Sequence, residues 1–171
     1  MTVLAKFPSS RPLVRDAAAI AASALLVFLY ARGGAGWMLG LVALAPWLRA
    51  LDAAASLVRT LLLAWAMTVA YTLAGFAWFG GAIGAFTQWG EAAGLALLLA
   101  AAPLFQPQIL AFALARRLSM RRHGRAPTAV VAACTWVAAE WLLPRVLGDT
   151  LGDGLYPSRL LRQAADLGGA T

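Results

Sequence analysis

Residues 60–90, TLLLAWAMTVAYTLAGFAWFGGAIGAFTQWG, form 31 consecutive residues without a charged side chain. At about 1.5 Å per residue a helix of this length measures roughly 46 Å, whereas the hydrocarbon core of a bilayer is about 30 Å thick. The stretch is therefore too long for one upright membrane helix and too short for two. We expect the helix to break near Gly80-Gly81, which leaves a spanning helix over 60–80 and a short interfacial piece that carries Phe86 and Trp89.

Four further apolar runs lie on either side of this stretch. The five predicted spans are 17–31, 35–48, 60–80, 92–115 and 127–143. The first two are shorter than the roughly 20 residues that cross a bilayer, so residues at their ends must reach to the interface. The pattern predicts an all-α, polytopic transmembrane helix bundle with about five spans. A cleavable signal peptide over residues 1–35 is an alternative for the first run only, because further apolar runs follow it.

The overall composition favours a membrane protein. Of 171 residues, 62% are hydrophobic and 12% are charged, whereas about a quarter of the residues in soluble domains are charged. The formal charge of +7 would suggest nucleic-acid binding in a soluble protein. In membrane proteins, however, basic residues collect in cytoplasmic loops beside anionic lipid headgroups. We therefore expect membrane phospholipids as partners and no nucleic acid.

The distribution of basic residues predicts the orientation in the membrane. Residues 1–16 form a basic, irregular leader, and the most charged stretch is 116–125. With the leader in the cytoplasm and five spans, ten of the 14 basic residues fall inside and four fall outside. This bias follows the positive-inside rule. It predicts a cytoplasmic amino terminus and places the polar, turn-rich segment 144–171 in a periplasmic loop.

No arrangement of residues typical of catalysis or metal binding occurs in the sequence. Cys134 is the single cysteine and lies inside an apolar run, where we expect a small, buried and unreactive thiol. His123 is the single histidine and lies in the basic loop, so no metal site is expected. No phosphate-binding glycine loop and no nucleophile elbow is present. The residues alone thus predict no catalytic residue, no metal and no cofactor.

The fourth predicted span carries a polar, proline-containing segment at mid-membrane depth. It consists of Pro103, Gln106, Pro107 and Gln108, with Leu104 and Phe105 between them. Two prolines about one turn apart leave backbone carbonyls without a donor and bend a helix. Glutamines at this depth are costly unless they face protein or water. The segment is either a packed kink that neighbouring helices satisfy or the lining of a cleft.

The fifth predicted span contains the only acidic residue inside an apolar run. Trp136 and Glu140 are four residues apart and therefore share one helix face. Glu140 is predicted to lie near the outer end of the span. It either pairs with Arg145 at the interface or contacts a polar headgroup or peptide terminus.

Two glycine spacings predict close helix contacts. They are Gly36-x-x-x-Gly40 and Gly80-x-x-x-Gly84. Small residues at this spacing let two helix backbones approach each other in a membrane. We interpret both as packing motifs.

Four short stretches follow one another along the chain. They are 37–48, ending in ALAPWL, then 75–81 (GFAWFGG), 136–142 (WVAAEWL) and 160–169 (LLRQAADLGG). Together they resemble the amino-terminal membrane half of bacterial apolipoprotein N-acyltransferase. The order, spacing and predicted topology agree with that family over nearly the whole chain.

The resemblance implies a role in lipoprotein maturation in the bacterial inner membrane. The family transfers a fatty acyl chain from a phospholipid to the amino-terminal cysteine of a diacylated lipoprotein, at the outer face of that membrane. It uses a Glu–Lys–Cys triad in a nitrilase-like domain that follows the membrane helices. On this chain, the resemblance implies a lipid or substrate cleft near Trp89, Trp136, Glu140 and Pro157.

The chain also departs from the family pattern. Its single lysine, Lys6, lies near the cytoplasmic start, and Cys134 is in the wrong region to be the nucleophile. Segment 144–171 ends before the family's sixth helix would begin. We therefore expect a membrane domain that lacks the nitrilase-like catalytic domain, is inactive alone and meets a lipoprotein substrate only with such a domain as partner. The alternative is a small stand-alone membrane scaffold or transport protein that uses the glutamines of the fourth span.

Overall fold

The computed structural model describes residues 11–143 and 156–168. The helices are α1 (Arg11–Ala31), α2 (Ala45–Asp52), α3 (Leu57–Thr87), α4 (Glu91–Ala100), α5 (Ala102–Phe105), α6 (Pro107–Met120), α7 (Arg125–Leu142) and α8 (Arg159–Gly168). A 3-10 segment, Gly34–Leu41, lies between α1 and α2. Within the described ranges, every regular element is helical.

Three helical segments are long and apolar enough to cross a membrane. They are Pro12–Ala31, Gly34–Asp52 and Leu57–Thr87. Many of their large apolar side chains face outward, as expected for helices that contact lipid. The predicted all-α membrane helix bundle is therefore confirmed.

The longest helix, α3, lies at the centre of the bundle. α1 and α2 pack against it, and α4, α5 and α6 return along it in the opposite direction. α4 lies beside the carboxyl-terminal half of α3, where Gly80 packs against Leu95. α6 lies beside the amino-terminal half, where Thr60 and Ala113 line the same small cavity. α7 packs mainly on α6.

α3 runs without interruption over Leu57–Thr87, so the predicted break near Gly80-Gly81 is wrong. Glycine keeps its backbone N–H and does not by itself end a helix. Here α4 supports the helix at this point, since a Cβ at Gly80 would lie only 2.8 Å from the Leu95 Cα. The glycine therefore allows close packing of α3 on α4 instead of a turn. A helix longer than the hydrocarbon thickness is accommodated by tilt or by local thickening of the bilayer.

The ends of α3 are set by local backbone chemistry. The Ser56 Oγ accepts a hydrogen bond from the Arg59 N–H at 3.2 Å, which caps the first turn. At the other end, Gln88 adopts a left-handed conformation with φ 62°, and Gly90 follows with φ 86°. This turn, which contains Trp89, reverses the chain into α4.

The helix predicted over 92–115 is divided into α4, α5 and α6. α5 ends at Phe105, and Gln106 has φ −125° and ψ 53°, outside the helical region. Pro107 then begins α6. The first residue of a helix needs no backbone N–H, because that group would have no hydrogen-bond acceptor within the helix. The predicted bend at the prolines is confirmed, and it takes the form of a full interruption.

The beginning of the chain differs from the predicted bounds. α1 starts at Arg11 instead of residue 17, so Arg15 and Asp16 of the predicted leader are helical. Pro12 is compatible with a first helical turn. Residues 1–10 lie outside the described ranges.

The second predicted span, 35–48, consists of the 3-10 segment followed by α2. Gly36 lies against the Leu29 carbonyl, where a Cβ would be 2.6 Å from the oxygen, and Gly40 lies against the Tyr30 ring. The close contact predicted from their spacing is therefore present. It joins the 3-10 segment to the end of α1.

A short helix, α8, lies within the segment predicted as a loop. The Ser158 Oγ accepts from the Leu161 N–H at 3.4 Å and so stabilises its first turn. The Arg162 guanidinium lies 4.8 Å from the centre of the Tyr156 ring. Arg145 lies outside the described residues, so its predicted pairing with Glu140 stays a prediction.

The core is organised around Trp47 at the start of α2. Its indole Nε1–H donates to the Leu63 carbonyl at 3.1 Å, and its backbone N–H donates to the Ser23 Oγ at 3.0 Å. Trp47 is fully buried, as are Met67 and Ile109. These bonds join α1, α2 and α3. Because lipid tails are as apolar as the side chains, such hydrogen bonds and close packing are the main attraction between membrane helices.

Candidate functional site

One end of the bundle, the charged end, is defined by Asp16, Asp52, Arg59, Arg116 and Arg117. The Asp16 Oδ2 accepts from the Nη2 and Nε of Arg59 at 2.7 and 3.0 Å. The two oxygens of Asp52 accept from the Arg116 fork at 2.8 Å each. Arg117 donates to two carbonyls of the α2–α3 loop at 2.7 and 2.8 Å. These contacts bring the starts of α1 and α3 and the ends of α2 and α6 together.

The charged end consists of residues that the charge pattern predicts to be cytoplasmic. The loop between α6 and α7, with His123, belongs to the same end, because the Thr128 hydroxyl donates to the Ser119 hydroxyl across that loop at 3.2 Å. The opposite end, here called the far end, carries the α3–α4 turn and the carboxyl end of α7. Among the described residues, most of the arginines are therefore concentrated at the charged end.

Three aromatic rings connect α2, α6 and α7 through the core. The Trp47 and Phe112 ring centres are 5.9 Å apart, and the Phe112 and Trp136 centres are 5.7 Å apart with the planes at 81°. The Phe112–Trp136 pair is edge-to-face, and such a pair contributes about 0.5–1.5 kcal/mol beyond the free energy of burying its surface. The chain of rings leads from the centre of the bundle to Glu140.

Trp136 and Glu140 form a direct hydrogen bond inside the protein. The Trp136 Nε1–H donates to the Glu140 Oε1 at 2.9 Å, and the Glu140 side chain is 4% exposed. Trp136 and Glu140 therefore share a helix face, as predicted, and the contact between them is polar and buried. A buried carboxyl group in a membrane helix is costly without such partners, so its presence here motivates the hypothesis of a functional site or a packing role.

Gln106 and Gln108 are both inside the protein. They are 1% and 3% exposed, and the Gln108 Nε2 donates to the Gln106 Oε1 at 2.5 Å. Among the described residues, the Gln106 Nε2 and the Gln108 Oε1 have no further hydrogen-bond partner. The burial of both side chains agrees with the packed-kink interpretation, but the pair satisfies only half of its own polar atoms, and no described residue of a neighbouring helix satisfies the other half.

The other two residues predicted for the cleft, Trp89 and Pro157, belong to other segments of the chain. Trp89 is exposed in the α3–α4 turn, and Pro157 is exposed before α8. Trp89 belongs to the α3–α4 pair, whereas Trp136 and Glu140 belong to α7, which packs on α6. The described structure joins Trp136 and Glu140 by a hydrogen bond and shows Trp89 and Pro157 exposed in other segments, so the cleft formed by all four residues stays a prediction. Pro103 belongs to the short helix α5.

Cys134 is exposed on the outer face of α7, so the expected burial of its thiol is wrong. In a bilayer an apolar residue is as stable facing lipid as facing protein, and hydrophobicity therefore does not indicate which side is inside. Within the described ranges, no group of three or more histidine, cysteine or acidic residues could hold a metal ion.

The sequence did not indicate which partners the aspartates have. Asp16 and Asp52 each lie within a basic segment, and that neighbourhood is the only available signal. Their partners, Arg59 and Arg116, are 43 and 64 residues away. Such pairings depend on the order in which the helices pack, which is not encoded in any local spacing.

Comparison with known proteins identifies the family. Residues 22–171 match the model of the apolipoprotein N-acyltransferase N-terminal domain. No curated protein and no solved structure matches the chain. The matched range covers most of the chain, and the chain belongs to this family. The resemblance noted in the sequence is thereby confirmed.

Proposed function

We propose that this member of the apolipoprotein N-acyltransferase N-terminal domain family forms the membrane-embedded part of a phospholipid-to-lipoprotein acyl-transfer system. Its helices anchor the system in the bacterial inner membrane, with the charged end in the cytoplasm. The far end faces the periplasm and admits a phospholipid beneath a nitrilase-like domain. That domain, in the same or another chain, supplies the thiolate that carries the acyl group.

The observation that carries this proposal is the buried Glu140 near the carboxyl end of α7. Arg125, at the start of α7, lies at the charged end, so Glu140 is about 22 Å further along the helix axis. Glu140 is 4% exposed, and we propose that an ester, a headgroup or the amino terminus of a substrate contacts the small part of the carboxyl group that reaches the surface. Trp136 holds it in place from one turn away.

The described residues supply no groups for the chemical step. Acyl transfer through a thioester needs a thiolate, a base and donors for the developing oxyanion. Cys134 is exposed on an apolar helix face, and Lys6 lies outside the described residues. The 171 residues alone are therefore proposed to be inactive in acyl transfer.

The test uses a bacterial strain depleted of its own apolipoprotein N-acyltransferase. One plasmid carries the chain alone, and a second carries a chimera in which residues 1–171 replace the matching part of an active enzyme. We expect the chimera to restore N-acylation, read by mass spectrometry of a lipoprotein's amino-terminal peptide, and the chain alone to restore none. N-acylation by the chain alone would contradict its proposed inactivity, and a well-expressed but inactive chimera would contradict the proposed role.

The same chimera tests the role of Glu140. Glu140→Leu removes the carboxyl group and is expected to reduce N-acylation at least about tenfold, the effect of losing one well-placed polar contact. Val130→Leu, at an exposed position of the same helix, is the matched control and should leave N-acylation unchanged. Full activity of the Glu140→Leu chimera would show that Glu140 only contributes to packing.

A scaffold or transport function is the second candidate, because two polar atoms of the glutamine pair have no partner among the described residues. In that case Gln106 and Gln108 would bind a solute or solvent in the membrane. Replacing both glutamines by leucine separates the two functions.

A further inference from the structure

A groove lies between α1 and α2 on the outside of the charged end. It has a volume of about 530 Å³. Its floor consists of small apolar residues of the two helices, and an arginine stands on each side, Arg15 on α1 and Arg49 on α2. The lining is Arg15, Ala18, Ala19, Pro46, Arg49, Ala50 and Ala53.

The two arginines of the groove differ from the three arginines that define the charged end. Arg59 and Arg116 each bind an aspartate, and Arg117 binds two backbone carbonyls. Arg15 and Arg49 are exposed, and no ion pair or hydrogen bond joins either side chain to another described residue. No described residue therefore neutralises their charges, and they flank an apolar surface.

We propose that this groove binds one anionic phospholipid from the leaflet at the charged end. The phosphate lies between the Arg15 and Arg49 guanidinium groups, which bind phosphate oxygens through two parallel N–H donors. An acyl chain lies along the alanine floor. The positive rim and the apolar floor match a lipid in both charge and polarity, and the two helices that form the groove belong to segments long and apolar enough to cross a membrane. This proposal does not depend on the proposed acyl-transfer function.

Charge complementarity favours a lipid over protein segments. Residues 1–10 contain one lysine and no acidic residue, so they cannot neutralise the two arginines. A second copy of the chain offers little acidic surface at this end, because Asp16 and Asp52 are already paired with arginines. Glu91 is exposed but lies at the start of α4, at the far end.

The experiment measures lipid retention by the 171-residue chain purified in detergent. The chain is incubated with equal amounts of phosphatidylglycerol and phosphatidylcholine, and native mass spectrometry counts the lipids that remain bound. We expect a single tightly held phosphatidylglycerol. Arg15→Gln combined with Arg49→Gln should lower its retention relative to phosphatidylcholine by roughly tenfold or more, since each basic residue near the headgroup contributes to binding.

Two variants separate the groove from general electrostatics. Arg121→Gln combined with Arg122→Gln removes the same charge from the same end but does not touch the groove, and retention should not change. Ala18→Leu keeps both arginines and fills the exposed floor, and retention should fall as in the arginine variant. The proposal is overturned if the two charge variants have equal effects, or if Ala18→Leu has none. It is also overturned if inorganic phosphate alone displaces the lipid.

Discussion

Two ion pairs at the charged end differ in how far water reaches the aspartate. The Asp16 side chain is 8% exposed and binds Arg59, whereas the Asp52 side chain is 40% exposed and binds Arg116. An unpaired carboxylate is tolerated where water can solvate it and is costly where water is excluded. The same change of arginine to glutamine should therefore have different consequences at the two pairs.

We expect Arg59→Gln to destabilise the bundle by about 3–5 kcal/mol and Arg116→Gln by about 1 kcal/mol or less. The measurement is the midpoint of thermal unfolding in detergent, and size-exclusion chromatography after heating gives the fraction that remains folded. Asp16→Asn in the Arg59→Gln background should recover part of the loss, because it removes the uncompensated charge. Equal midpoints for the two arginine variants would contradict the expectation that losing the partner of the buried Asp16 costs more stability than losing the partner of the exposed Asp52.

The Trp136–Glu140 contact predicts a second residue-level effect. Trp136→Phe keeps the ring beside Phe112 but removes the Nε1–H that Glu140 accepts. The expected loss of stability is about 1–3 kcal/mol, the cost of one hydrogen bond to a buried polar group. Trp65→Phe, at an exposed position on α3, is the control and should leave the thermal midpoint within error of the unmodified chain. A similar midpoint for both variants would mean that the hydrogen bond contributes little.

At the level of secondary-structure elements, adjacent glycines of α3 have opposite surroundings. A Cβ at Gly80 would lie 2.8 Å from the Leu95 Cα, a backbone atom that moves only with α4. A Cβ at Gly81 would meet no atom within 4 Å. The pair provides an internal comparison in which the substitution is the same and only the facing helix differs.

We expect Gly80→Ala to destabilise the α3–α4 pair by about 1–3 kcal/mol, the usual cost of overpacking. Gly81→Ala should be neutral or stabilising by up to about 1 kcal/mol, since alanine is the better helix former. Thermal unfolding in detergent measures both. If Gly81→Ala were the more harmful change, α4 would have to pack on a different face of α3.

The helix interruption at Gln106 predicts how paired and single substitutions differ. Gln106→Leu together with Gln108→Leu removes both partners of the buried bond and should be nearly neutral for stability, whereas Gln108→Leu alone leaves the Gln106 Oε1 without a donor and costs about 1–3 kcal/mol. In the acyltransferase chimera the double variant should keep N-acylation. Loss of N-acylation with normal expression would favour the alternative in which the glutamines bind a solute.

The bend at the prolines could be predicted from the sequence, but the continuity of α3 could not. Pro103 and Pro107 act on their own backbone, so their effect is local and readable from the chain. Gly80 permits either a turn or a close contact between helices. Which of the two forms depends on how α4 packs against α3, and the residues around Gly80 do not determine that packing. The same limit applies to the Trp136–Glu140 pair, whose shared face was predicted while its burial under α6 was not.

At the level of the whole molecule, the apolar pattern predicts the membrane class but not which helix faces contact lipid. Cys134 illustrates this, because its apolar run suggested burial and its side chain is exposed. The burial of Trp47 and the exposure of Trp78 likewise follow from the order in which helices surround α3. The polar side chains, which must find partners, are the better guide to the inside of this bundle.

The proposed topology places the charged end in the cytoplasm and α8 on the periplasmic side. Labelling with a membrane-impermeant maleimide in bacterial spheroplasts tests it. Each variant carries Cys134→Ala and one new cysteine, His123→Cys at the charged end or Pro157→Cys before α8. Pro157→Cys is expected to be labelled in intact spheroplasts and His123→Cys only after lysis. The reverse pattern, or labelling of both from the same side, would contradict the proposed topology.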